Sequence, residues 1–279
     1  MLARARDGRE VSFTSANSRF RNYKPEAEKA VRGAQVKSNP LFQEMKRIFL
    51  ELERYVDIES RYVVAGKMAE RLEYTAKDVE LFSVAMADLQ GESDFSLNIG
   101  LFLSAFMNRG KDGRYVIHTA HLAEAPDFVG FRNTKNIIVG GDGGSNLGSH
   151  MEGGSIVVHG DVKSYVGTRM EGGSIAVNGN IGYNAGEDMG GGSITVHGSA
   201  GSNVGFLMGG GFIIVHGNVG EGAASDMRGG RLIVKGNVRG TVGFMMEGGE
   251  IHVKGEIESI SDKFMHGKIF HRRELIVSR

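Results

Sequence analysis

The C-terminal half of the chain alternates apolar and variable positions in short segments that return every 19 residues. Each segment carries Ile, Leu or Val at two positions separated by one residue, as in Ile175/Val177 and Ile194/Val196. A period of two is that of a strand with one buried face. Nineteen residues at about 3.3 Å each give a contour of about 60 Å, which suits one turn of a three-sided coil. The pattern therefore predicts a parallel β-helix, in which stacked coils share one core.

A methionine opens each coil in the same phase, and the 19-residue spacing holds from Met151 to Met265. The consensus is M-x-G-G-x-I-x-V-x-G-(N/D)-(V/I)-G-x-x-(V/A)-G-x-x, and a degenerate earlier coil begins at Arg132. The structural markers of the repeat are Met151, Met170, Met189, Met208, Met227, Met246, Gly160, Gly179, Gly198, Gly217, Gly236 and Gly255. We expect seven to eight coils in which each methionine lies above its predecessor. Right-handed coiling is expected by analogy with the crossover rule.

Glycine content divides the chain near Phe131. Of the 43 glycines, 35 lie in residues 132–279. Glycine costs about 0.5–1 kcal/mol relative to alanine in regular structure, so these positions should be ones where a Cβ does not fit. The predicted organisation is a basic polar arm over 1–38, a helical capping region with a short strand over 39–131, and the β-helix over 132–279. The arm is either loosely ordered or docks on a partner.

The capping region carries helix start and stop signals. Asn39 and Pro40 form a helix start, and Thr75 to Asp78 has the form of a capping box. The predicted elements are a helix from Pro40, a helix over 62–72, a helix from the capping box to Gly91, a helix over 94–108 and a strand over 115–119. We expect these helices to cover the N-terminal end of the solenoid, because an open end invites strand addition. The fold class is thus α+β in two parts.

Composition narrows the chemistry. Lys+Arg and Asp+Glu both number 33, so nucleic acid and anionic membranes are not expected partners. The chain has no cysteine, which excludes disulfides, thiolate metal sites and cysteine nucleophiles. No apolar run reaches about 18 residues, and the basic start lacks the apolar core of a secretory signal. A cytoplasmic location is expected.

Histidines recur at the ninth position of the coil. His159, His197 and His216 share this column with Asn178 and lysines at 235 and 254. Zinc needs three or four ligands, and a neighbouring cation opposes it, so the column is interpreted as a solvated polar ladder. The candidates for a partner surface are His159, His197, His216, His118 and His121.

A second polar column follows the strand glycines. Asp142, Asp161, Asn180, Asn218 and Asn237 occupy it, and an amide ladder is the favoured interpretation. The glycine loops join strand to strand and contain no P-loop, and no G-x-S-x-G motif occurs. No catalytic, metal or cofactor-binding residue, and no cofactor, is therefore predicted.

The phased G-G-x-I-x-V-x-G-(N/D)-x-G-x-x-x-G coils over about residues 132–265 resemble the GXGXG β-helix domain. That domain closes the large subunit of glutamate synthase. It also forms one whole subunit of formylmethanofuran dehydrogenase and of its bacterial formyltransferase/hydrolase counterpart. The resemblance implies a rigid scaffold packed against catalytic partners, with no catalytic residues of its own. The glutaminase, flavin-barrel and iron–sulfur parts of glutamate synthase are missing here, and residues 39–110 do not match the expected start of the formylmethanofuran dehydrogenase protein.

Three functional hypotheses follow. The first is a non-catalytic scaffold subunit of an oxidoreductase or formyltransferase-type complex, docking catalytic protein subunits in one-carbon or amide-nitrogen metabolism. The second is a hydrolase or transferase with a site near His118, His121 and Asp127, where the helical region meets the β-helix. The third is a self-associating homo-oligomer joined through the helices or the exposed ladder.

Overall fold

A computed structural model describes residues 39–279 as a helical region followed by a β-solenoid of about eight turns. The predicted basic arm, 1–38, lies outside the described residues. The expected combination of a helical cap and a C-terminal parallel β-helix is confirmed.

Within residues 39–113, four α-helices form the helical region. They are α1 (Pro40–Glu51), α2 (Ile58–Ala69), α3 (Ala76–Ala85) and α4 (Phe95–Arg109), with 3-10 turns at Leu52–Arg54 and Met86–Leu89. Asn39 caps α1, because its Oδ1 accepts the N–H of Leu41 at 2.9 Å. The capping box of Thr75 and Asp78 is present at the start of α3.

Helices α2 and α3 differ from the predicted ones by more than one residue, and α2 ends at Ala69 rather than at Leu72. Helix α2 begins four residues before Tyr62, because Asp57 accepts the N–H of Ser60 at 2.8 Å and caps the helix there. Helix α3 ends at Ala85, and the chain continues as a 3-10 turn to Leu89 rather than as α-helix to Gly91. The Asp57 cap therefore decides where α2 begins.

Twelve strands follow in residues 114–279. They are β1 (Arg114–His118), β2 (Asn136–Gly140), β3 (Ser155–Val158), β4 (Ser174–Val177), β5 (Ser193–Val196), β6 (Phe212–Val215), β7 (Arg231–Val234), β8 (Val238–Val242), β9 (Glu250–Val253), β10 (Ile257–Ile260), β11 (Lys268–His271) and β12 (Glu274–Ser278). Ten of them form one sheet in the order β1-β2-β3-β4-β5-β6-β7-β9-β11-β12, and β8 pairs with β10 in a second sheet. All pairs are parallel except β11 with β12. The register between coils is 19 residues, as in Ile175 opposite Ile194.

The methionine column lies inside the solenoid. All six methionines from Met151 to Met246 are fully buried. Each terminal methyl packs beneath a glycine of the next coil, so that a Cβ on Gly192 would lie 2.6 Å from Cε of Met170. Gly192 also has a φ of +83°, a conformation that favours glycine. The methionine and the second glycine of the M-x-G-G motif are therefore one packing unit shared by two coils.

Met265 does not continue this column, so that part of the prediction is wrong. The register between β8 and β10 slips by one residue between Ile257 and Ser259, which makes the last coil one residue shorter. Phe264 consequently takes the methionine position and is 2% exposed, whereas Met265 is 47% exposed. Met265 keeps the 19-residue spacing in the sequence, but it does not occupy the equivalent position in the structure.

The helices cover the N-terminal end of the solenoid through β1. Strand β1 adds one further rung to the long sheet, with Tyr115 opposite Ile137. Ser83 of α3 accepts the backbone N–H of His118 at 3.0 Å, so a helix side chain bonds to this edge strand. Helix α4 approaches the following loop so closely that a Cβ on Gly100 would overlap the carbonyl of Asp127.

Candidate functional site

The outward face of the ten-stranded sheet carries three columns of side chains, at the fifth, seventh and ninth positions of the coil. The seventh-position residues, here called the middle column, are all half-buried: Ile138, Val157, Ala176, Thr195, Ile214, Ile233, His252 and Phe270. From Ile138 to Ile233 this column contains no charged side chain. Because the register is constant from β2 to β9, the strands present this column without an intervening insertion.

The ninth-position column contains the predicted histidines. The rings of His197 and His216 meet edge to face with centroids 4.8 Å apart. Nζ of Lys235 donates to Nε2 of His216 at 2.9 Å. Burial, followed by the charge of Lys235, lowers the pKa of His216 below its ordinary value. His159 lies two coils from His197, on the far side of Asn178.

This histidine column does not assemble a metal site in the described part of the chain. Across residues 39–279 no group of three or more His, Asp or Glu side chains is arranged to hold a metal ion. His216 instead accepts a hydrogen bond from a cation, which requires a neutral ring nitrogen. The column is therefore a stack of polar side chains in which lysines replace histidines toward the C-terminus.

The C-terminal end of the sheet face is concave. A cavity of about 430 Å³ lies there, here called the C-terminal groove, and it is lined by Ile214, His216, Arg231, Ile233, Lys235, His252, Val253, Lys254, Phe270 and Arg273. The rings of His252 and Phe270 are parallel, with centroids 4.4 Å apart. Sequence reasoning missed this groove. Two changes in the sequence indicate it. Ala176 and Thr195 give way to larger apolar residues in the middle column, and histidine gives way to lysine in the ninth-position column.

The predicted junction site is only partly assembled. His118 is buried on β1, and its Nε2 lies 3.4 Å from Oε1 of Glu80. Asp127 Oδ1 accepts the N–H of Ser145 at 2.6 Å, so this carboxylate holds the first coil. A cavity of about 510 Å³ at the junction is lined by Asp127 together with Gln90, Glu92, Asp94, Phe95, Ser96, Leu97, Ala123 and Glu124. Neither His118 nor half-buried His121 lines it, so the hydrolase hypothesis stays a prediction, for which His118→Ala is the test.

The predicted amide ladder is present as a ladder of side chain to backbone hydrogen bonds. Oδ1 of Asp161 accepts the N–H of Asn180, and Oδ1 of Asn180 accepts that of Ser199, at 2.6 and 2.9 Å. An equivalent bond recurs in each coil from Asp142 to Asn237, with the hydroxyl of Ser199 as the acceptor for the N–H of Asn218. The marker glycines face this column, since a Cβ on Gly198 would lie 2.5 Å from Oδ1 of Asn180. The ladder joins the coils, which gives these polar residues a structural role.

No protein-family model matches the chain, and no curated protein matches it. Between residues 39 and 279, no helix has the length and apolar character needed to cross a bilayer.

Proposed function

We propose that this chain is a non-catalytic scaffold subunit that docks catalytic partner subunits in a cytoplasmic complex. The observation that carries the proposal is the unbroken 19-residue register of the long sheet, which makes a stiff surface without insertions. The resemblance of the coils to the GXGXG domains of glutamate synthase and of formylmethanofuran dehydrogenase supports the same role. It favours a complex of one-carbon or amide-nitrogen metabolism.

The middle column is the part of this surface best suited to burial. Its residues from Ile138 to Ile233 are uncharged, so covering them does not desolvate an ion. Eight parallel strands at about 4.8 Å spacing and about 13 Å length give a face of about 500 Å². A standard interface buries about 800 Å² on each partner, so the partner must also contact the loops that flank the sheet.

Affinity purification of the tagged chain from its native host tests this proposal. We expect a stoichiometric enzyme subunit to be recovered with the wild-type chain and lost with Thr195→Lys, which places a charge in the middle column. Ser202→Lys is the matched control, because its coil position is occupied by Tyr183 and Glu221 in the neighbouring coils and lies outside the sheet face. Recovery of the chain alone at native concentration, or equal recovery with both variants, would refute docking on this face.

Self-association is a second candidate role, and the last strand favours it. Strand β12 is the final strand of the sheet, and its Leu275 and Ile276 are 53% and 43% exposed. An edge strand with exposed apolar side chains is a template for pairing with another chain. The opposite end of the solenoid is covered by helices, so we propose that β12 pairs with β12 of a second copy. Such an isologous contact closes as a dimer.

Light scattering after size exclusion distinguishes this role from docking alone. We expect a dimer of the wild-type chain at tens of micromolar concentration and a monomer for Ile276→Lys, since a buried lysine would face its own symmetry mate. Glu258→Lys, on exposed strand β10 outside the long sheet, is the control that should remain dimeric. A wild-type monomer would rule out this contact.

A further inference from the structure

We propose that the C-terminal groove binds a small organic anion, in which a carboxylate or phosphate group is joined to a flat apolar body. This binding site goes beyond the docking role, because it needs no partner protein and depends on Lys235 and Lys254, which lie outside the middle column. Its volume of about 430 Å³ is within the range of small-molecule sites, which are about 300–1,000 Å³.

The floor of the groove supplies the apolar contact. Ile214 and Ile233 occupy neighbouring positions of the middle column and are only half-buried. Phe270 continues the floor beyond His252, and the two rings stack face to face with centroids 4.4 Å apart, which restricts the position of both. Two branched aliphatic side chains beside a fixed aromatic pair make a surface that a planar apolar body can cover. Covering it removes apolar area from water on both sides.

The rim toward the ninth-position column supplies positive charge. Lys235 and Lys254 lie in adjacent coils whose strands are about 4.8 Å apart, so one anionic group can contact both side chains once Lys235 turns from His216. Lys235 contacts His216 rather than a carboxylate. Within residues 39–279, Lys254 and Arg273 form no ion pair. Among the described residues, the three cations that line the groove on this side therefore have no ion-pair partner.

The opposite rim carries less uncompensated charge, so the two rims of the groove are not equivalent. Arg231 lies 2.7 Å from Oε2 of Glu250, and Lys268 lies 3.9 Å from Oε1 of the same carboxylate. The charge on this side is thus largely compensated within the protein. A bound ligand is expected to place its anionic group over Lys235 and Lys254 and to extend its apolar body across Ile233.

The same columns at the N-terminal end of the sheet cannot form such a site. There the ninth-position residues are Gly140, His159 and Asn178, and the middle column contains the small residue Ala176. The ninth-position column there has no permanently charged side chain, and Ala176 interrupts the apolar floor that Ile138 and Val157 begin. The ligand site is therefore specific to the coils that contain Lys235 and Lys254.

Isoleucine-methyl NMR of the full chain tests the proposal with defined probes. We use 4-phenylbutyrate and phenyl phosphate as anionic probes, the neutral 4-phenylbutan-1-ol as an uncharged match, and inorganic phosphate as a match without an apolar body. Both anionic probes should shift the methyl signals of Ile214 and Ile233 and leave those of the buried core isoleucines in place. The alcohol and inorganic phosphate should each bind about fivefold or more weakly.

A pair of double variants separates local charge from total charge. Lys235→Gln/Lys254→Gln should weaken 4-phenylbutyrate binding about fivefold or more. Lys163→Gln/Arg239→Gln removes the same charge from exposed positions outside the sheet face and should bind the probe as the wild type does. The proposal fails if millimolar probe leaves Ile214 and Ile233 unshifted, if the alcohol binds equally well, or if the two double variants bind alike. Because these side chains are exposed, the core methyl signals report that both variants are folded.

Discussion

Adding a methyl group at one glycine column should destabilise the solenoid by an amount that depends on the coil. Gly167 and Gly205 occupy equivalent positions with φ values of +66° and +73°. A Cβ on Gly167 would lie 2.6 Å from Cδ1 of Ile194, whereas nothing lies closer than 3.7 Å to one on Gly205. The difference arises because the residue equivalent to Ile194 two coils later is Leu232, which has no methyl at that place.

The expected magnitudes follow from two separate costs. Alanine in the left-handed region costs about 1–2 kcal/mol, offset by about 0.4–1 kcal/mol from the stiffer unfolded chain. Gly205→Ala should therefore destabilise by about 1 kcal/mol, and the natural Ala224, with a φ of +56° at the same coil position, shows that the conformation is tolerated. Gly167→Ala adds overpacking, typically about 1–3 kcal/mol, because Ile194 is fully buried and cannot move aside.

Urea denaturation of both single variants and of Gly167→Ala/Ile194→Val measures these terms. The Ile194→Val change removes the clashing methyl, so its usual cost of about 0.5–1.5 kcal/mol should shrink or reverse when Gly167→Ala is present. Equal destabilisation by Gly167→Ala and Gly205→Ala would show that the backbone conformation alone matters. Additivity of the Ile194→Val change would refute the proposed clash.

Three further predictions concern the methionine column, the side-chain ladder and His216. Met189→Ala should lower the free energy of unfolding by about 2–5 kcal/mol because it empties a core position, whereas Met265→Ala should change it by less than about 0.5 kcal/mol in the same denaturation assay. Asn180→Ala should lower it by about 0.5–1.5 kcal/mol and Asn180→Asp by less, since the carboxylate keeps the acceptor. An NMR titration should place the pKa of His216 below its unfolded value of about 6.5, and Lys235→Gln should raise it. Because the folded pKa is the lower one, the contribution of this histidine to stability is complete above about pH 6.5 and decreases as the pH falls toward the folded pKa.

The core of the solenoid could be predicted from sequence because its determinants repeat. The inward pair Ile175/Val177 and its equivalents predict the strands, and the methionine phase predicts the stacking. The starts of α1 and α3 could be predicted because Asn39 and Thr75 bond to backbone within their own first turn. These are local or strictly periodic interactions, and a single sequence displays both kinds.

The features that could not be predicted depend on where the period breaks. Met265 keeps its sequence spacing, but the register slip after Ile257 moves Phe264 into its place. The C-terminal groove depends on Phe270 and Arg273 meeting Ile233 across two coils. Arg273 belongs to the antiparallel turn between β11 and β12, which the parallel repeat does not foreshadow. Contacts of this kind, between residues of different coils outside the repeat, are not apparent from the sequence.

The packing explains why the chemistry of the sheet face changes along the solenoid axis while the interior repeats. The buried methionines and most glycines of a coil pack against the adjacent coils, as the contact of Met170 with Gly192 illustrates. A change inside one coil is therefore constrained by its neighbours, whereas the outward seventh and ninth positions contact other side chains of the same column and solvent. Those columns are free to change along the axis, from Ala176 and Asn178 to Ile233 and Lys235. A repeat whose interior is this uniform can vary its surface chemistry only there, and the change from neutral to cationic occurs within these columns.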